Sequence, residues 1–288
     1  MVQSLSLASY SEAFRANFEN FRNSFPDTYL AGEKSCEILG MLSQRLLVPK
    51  EAELWHEVIP AMLFGCTSSW SFSFIATTAG LDEVALTSIR RSIEFTCYIA
   101  KIVRSKGQNE RAKIWRDMRE SKETLITFRR EFSIPKSFFS EKYSNLRQLL
   151  LTYDHASDFA IHANLSMLAS KASDSDDELR LSVFDNEQDI PVSAGNIIQF
   201  GSWIIESLMA DLKQLLQGYD EIQFHLELFR QCQYKAKVEI KKFYAQDTIA
   251  PSIRAAMEPP LSYLDTEFEK LKKKHTDYPP ATSSPPVV

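Results

Sequence analysis

Arg90, Arg91, Glu94, Asp158 and His162 are the five residues of this 288-residue chain whose types and spacing suit chemistry. Arg90 and Glu94 stand four residues apart, one helical turn, so guanidinium and carboxylate can pair on one face of a helix. His155 and His162 are two turns apart with Asp158 between them, giving a stripe of Leu151, His155, Asp158, His162 and Ala169 with Asp154 at its edge. If the two segments face each other, the interior holds a cluster of Arg, Glu, Asp and His. Histidine beside carboxylates titrates through the physiological range and serves as a general acid or base. An arginine there would hold a phosphate. The same residues equally make a structural polar network that fixes helix register, because buried charges need partners whether or not they do chemistry. Both readings stand on the sequence.

No metal or cofactor is expected. A ferritin-like site needs Glu-x-x-His pairs, and neither His155 nor His162 has Glu three residues before it. Cys36, Cys66, Cys97 and Cys232 lack the short spacing of zinc or redox motifs and read as reduced core thiols. There is no Gly-rich phosphate loop, nucleophile elbow or His-Glu-x-x-His.

The elements that must position these groups are helical. Only 8 glycines serve 288 residues, too few for a fold of many tight strand turns. Apolar residues recur three and four apart over 8–24, 28–47, 50–79, 81–105, 108–132, 141–171, 194–217 and 219–246. Pro26-Asp27, Pro49, Gly80-Leu81-Asp82, Gly107 and Ile134-Pro135 punctuate these segments. The expected fold is all-α, a multi-helix bundle over 1–250. One short β-hairpin or strand excursion is expected near 179–190, where Leu179 to Phe184 alternates with period two. Pro259-Pro260 then breaks the chain, 251–275 carries a short charged helix after a proline linker, and 276–288 is expected to be a disordered tail.

From Val58 to Leu81 no residue is charged. That length suits a membrane span, yet hydroxyls at 67, 68, 69, 71, 73, 77 and 78 suit close helix packing instead, so the expectation is the buried central helix of a bundle and no membrane. The N-terminus lacks a basic region followed by an apolar run, which points to the cytoplasm. A net charge of -5 does not indicate RNA or another polyanion as the general partner. Charge is uneven, however: 101–130 holds ten basic residues against four acidic, and 174–189 seven acidic against one basic. Pairing of these patches would make a homo-oligomer or recruit a protein partner.

The run Ala79-Gly-Leu-Asp-Glu-Val-Ala-Leu-Thr-Ser-Ile-Arg-Arg-Ser-Ile-Glu94-Phe, followed later by Ser157-Asp-Phe-Ala-Ile-His162, resembles bacterial helical proteins sometimes grouped with HEPN-like domains. That resemblance, over about residues 58–170, implies a helical fold. For some members it implies a metal-independent ribonuclease, with arginine steadying phosphate and histidine moving the proton. In those enzymes the motif is Arg-x-x-x-x-His. Here the residues five before each histidine are Glu51, Leu150, Ser157, Asp220 and Lys270, so Arg90 or Arg91 would have to come from another helix.

Overall fold

The computed structural model describes residues 7–47, 49, 51–134, 146–149, 152–153, 172–175, 178–181 and 189–245. The chain divides into two compact units, 1–240 and 241–288, and of the second only 241–245 are described. The all-α expectation is met: eight α-helices make up most of the described residues. They are α1 (Leu7–Ser24), α2 (Pro26–Gln44), α3 (Leu54–Thr78), α4 (Asp82–Val103), α5 (Gln108–Arg116), α6 (Lys122–Phe132), α7 (Ile190–Leu212) and α8 (Tyr219–Tyr244). A 3-10 turn, Lys213–Leu215, follows α7. Between α6 and α7 the backbone of β1 (Ala172–Ser175) pairs antiparallel with β2 (Glu178–Leu181), Ala172 opposite Leu181. This ladder ends at 181, and 182–188 of the expected excursion lie outside the described residues, as does everything after 245.

The core of the first unit is the antiparallel pair α3 and α4. Gly80 joins them at φ 80, a left-handed conformation that glycine adopts without the Cβ penalty. Gly80 N–H donates to Thr77 O and Leu81 N–H to Ala76 O, both at 2.9 Å, so the last carbonyls of α3 are satisfied. Leu81 packs back on Ala76 and Ala85, with Tyr10 and Phe14 of α1 against them. The hydroxyls of α3 do bind neighbouring backbone: Ser73 Oγ donates to Ala85 O at 2.8 Å, and Ser92 Oγ of α4 returns a bond to Cys66 O at 3.0 Å.

Helices α2 and α7 close over the inner face of α3. Trp70, fully buried, donates from Nε1 to Ile197 O at 3.3 Å and stacks on Phe74 at 5.7 Å. Gly201 of α7 makes this approach possible, since a Cβ there would sit 2.5 Å from Trp70 Nε1 and 2.6 Å from Ser35 Oγ. The outer helix α8 docks through one stripe, Ile222, Leu226, Phe229 and Ala236. Near its end Glu239 accepts from the N–H groups of Asp27 and Thr28 and from the Thr28 hydroxyl at 3.1, 2.8 and 2.7 Å, capping the start of α2.

The single helix expected over 108–132 is in fact two. α5 stops at Arg116, and Ser121 starts α6 by accepting from Thr124 N–H at 3.1 Å while Thr124 Oγ1 accepts from Ser121 N–H at 3.0 Å. This reciprocal cap satisfies donors that a continuous helix would have bonded internally.

Candidate functional site

Arg90 and Glu94 lie on the outer edge of α4, beside the fully buried row Ile89, Ile93, Cys97 and Ala100. One helical turn brings them together, Arg90 Nε donating to Glu94 Oε1 at 3.2 Å. Helical residue Tyr153 closes the pair from a second segment. Its hydroxyl accepts from Arg90 Nη2 at 3.4 Å and donates to Glu94 Oε1 at 3.5 Å, and the guanidinium lies over its ring at 5.2 Å. Burial opposes the Arg90 charge, but Tyr153 and Glu94 more than offset it and raise its pKa. Burial also raises the Tyr153 phenol, reinforced by Glu94 and opposed by Arg90.

Of the expected site residues, the structure brings Arg90 and Glu94 together and leaves Arg91 exposed on the next face of the turn. Asp158 and His162, with Asp154 and His155, lie outside the described residues. Tyr153 is the member that sequence reasoning missed. It falls two residues before His155, on the segment expected to face α4, where the spacing of the His and Asp residues gives no sign of which ring meets the guanidinium.

The rest of this edge is polar and matched. Tyr98 meets Phe128 and Phe132 of α6 edge-on at 5.7 and 5.2 Å. One turn on, Lys101 Nζ donates to the carbonyls of Glu131 and Ser133 at 2.9 and 2.7 Å, tying down the end of α6. Burial, then the Arg111 charge, lowers its pKa to about 8. Arg104 Nε donates to Asp211 of α7 at 2.8 Å, and that carboxylate is 5% exposed. Arg111 and Arg130 both pair with Glu131 and Arg116 with Asp117, so much of the basic stretch 101–130 is answered within the fold. Chemically the edge orients and braces, because each charge in it is held by a neighbour.

A small cavity of about 80 Å³ opens where α3, α4 and α7 meet, lined by Thr77, Asp82, Ser193 and Asn196 among others. Ser193 Oγ donates to Asp82 Oδ2 at 2.6 Å. The volume holds a few water molecules and falls short of the roughly 300 Å³ of an ordinary small-molecule pocket. None of the five expected site residues lines it.

The most unusual surface lies on α3, and it corrects the expectation of a wholly buried helix. Its inner face, including Ile59, Met62, Leu63, Cys66, Trp70 and Phe74, is buried, but Ala61, Phe64, Ser68, Phe72 and Ile75 are exposed. Phe64 is 71% exposed, Phe72 52% and Ile75 38%. Successive spacings of three, four, four and three residues put all five on one stripe. Leu54–Thr78 is, by length and composition, the described helix apolar enough to cross a bilayer, with 44% of its most apolar window buried by the protein.

Comparison with protein-family models, with curated proteins and with solved structures finds no match to this chain.

Proposed function

We propose that the protein works by association, presenting the outer face of α3 to another polypeptide, and that it does so in the cytoplasm with its four thiols reduced. The exposed run Phe64, Phe72 and Ile75 carries this reading. Large apolar side chains gathered on one surface stripe lower the free energy of the folded chain only when something covers them. The charged edge of α4 has the opposite character: Arg90 already gives donors to Glu94 and Tyr153, which favours bracing over capture of a phosphate.

The test compares wild type with the double variant Phe64→Ser, Phe72→Ser. Mass by light scattering and proximity labelling in the host cell are read alongside circular dichroism and Tm. The expected result is loss of self-association or of specific labelled neighbours, with helicity and Tm unchanged. A wild type that is monomeric and labels the same neighbours as the variant overturns the proposal.

A further inference from the structure

Resting on that reading, we infer that the partner is a second copy of this chain, packed antiparallel through α3 about a two-fold axis passing beside Ser68. The exposed positions of α3 from 61 to 75 read the same in both directions from Ser68. Phe64 and Phe72 lie four residues to either side, and Ala61 and Ile75 seven. When a helix pairs with itself across a perpendicular two-fold axis, residue 68+k faces residue 68−k of the partner. Phe64 then meets the partner's Phe72, Ala61 meets the partner's Ile75, and the two Ser68 residues meet at the axis. The small hydroxymethyl group at the centre lets the backbones approach, and each large side chain is answered by an aromatic or a small one. The two Phe64–Phe72 contacts flank the axis as aromatic pairs, and each Ile75 has an Ala61 to pack against.

Charge supports the same occupant. Any charge near a two-fold axis faces its own copy, so a self-pairing surface must exclude charges or offset them. Val58 to Leu81 contains none. Antiparallel helices also set the positive N-terminal end of one against the negative C-terminal end of the other.

The seam is short, spanning about 21 Å from 61 to 75 at the usual helical rise. Phe64, Phe72 and Ile75 together offer roughly 300 Å² per copy, judged from their exposures and typical side-chain areas. That is below the roughly 800 Å² per partner of a standard stable complex, so the dimer is weak and concentration-dependent. Because its core is apolar, high salt leaves it intact or tightens it, whereas pairing of the basic and acidic sequence patches would loosen under the same change.

Light scattering from about 1 to about 500 µM, where weak complexes form, tests the dimer. The expected mass rises from 33.0 kDa toward twice that value, and Phe64→Glu with Phe72→Glu holds it at the monomer. Geometry is read by mild oxidation in a Cys36→Ser, Cys232→Ser background. Ser68→Cys is expected to cross-link with itself, and Phe64→Cys to cross-link with Phe72→Cys when the two are mixed. Phe64→Cys alone is not, because its two copies lie about 12 Å apart along the seam, beyond disulfide reach.

A wild type that stays monomeric across the range while host-cell labelling still depends on Phe64 and Phe72 removes the second copy as partner and leaves the association reading standing. A monomer whose α3 stripe binds neutral phospholipid vesicles, with no labelled neighbour that depends on Phe64 and Phe72, overturns both the seam and the association reading. A dimer that survives both glutamates, or that cross-links Phe64→Cys to itself, overturns the seam.

Discussion

Helices α3 and α4 pack against each other along most of their length, yet they meet solvent in opposite ways. The outer edge of α4 carries Arg90, Glu94, Tyr98, Lys101 and Arg104, and each is held by a ring, a carboxylate or a carbonyl. Beyond Glu57 in its first turn, the outer edge of α3 carries no charge and shows two phenylalanines and an isoleucine to the surface. Polar groups half removed from water must be matched inside the fold, and that matching spends them on structure. Apolar groups left outside have no such internal obligation, so their arrangement is open to a partner. The more reactive-looking helix is thus the brace, and the chemically inert one is the surface with work left to do.

Four measurements sharpen or break that contrast. The largest effect is expected from Arg104→Met, which takes the guanidinium away from the buried Asp211 carboxylate. Urea denaturation should show a loss of about 3 kcal/mol, and a loss within error would mean that α4 is not held by its charges. Glu94→Gln comes next, at about 1 kcal/mol, because the Arg90 pair is partly exposed and only its charge-assisted bonds are weakened.

A smaller, signed effect belongs to Lys101. Below about pH 8 the folded protein carries the full cost of a half-buried ammonium. Between there and the ordinary value of 10.5 the unfolded chain binds the extra proton. Wild type should therefore gain stability relative to Lys101→Met as pH rises through that window, and parallel curves would place Lys101 in solvent. The smallest change in stability is expected on α3: Phe64→Ser at protein concentrations too low for association should shift unfolding by less than about 0.5 kcal/mol. A loss of several kcal/mol would make Phe64 part of the core and end the contrast.

Much of this was legible in the residues. The helices announced themselves by period, and the break at Gly80 and the Arg90–Glu94 turn were readable because both depend on near neighbours in sequence. The break at 117–121 was not, since apolar spacing runs through it and the cap that makes it is a Ser–Thr pair in place of the commoner Ser–Glu. Tyr153 escaped because nothing in spacing tells which ring will cover a distant guanidinium. The two-faced character of α3 escaped for a deeper reason. Absence of charge is the ordinary mark of burial, and a helix apolar all round gives no sign of which side its neighbours leave bare. Only the positions of α2, α4 and α7 decide that.

The clamp of Glu239 on the first turn of α2 ties an early part of the chain to a late one. The donors it satisfies belong to Asp27 and Thr28, more than two hundred residues upstream. At about 5–20 residues per second, a ribosome leaves that end of α2 uncapped for tens of seconds. Shortening α8 ahead of residue 239 would remove this cap, so a change more than two hundred residues downstream would be felt in the first turn of α2.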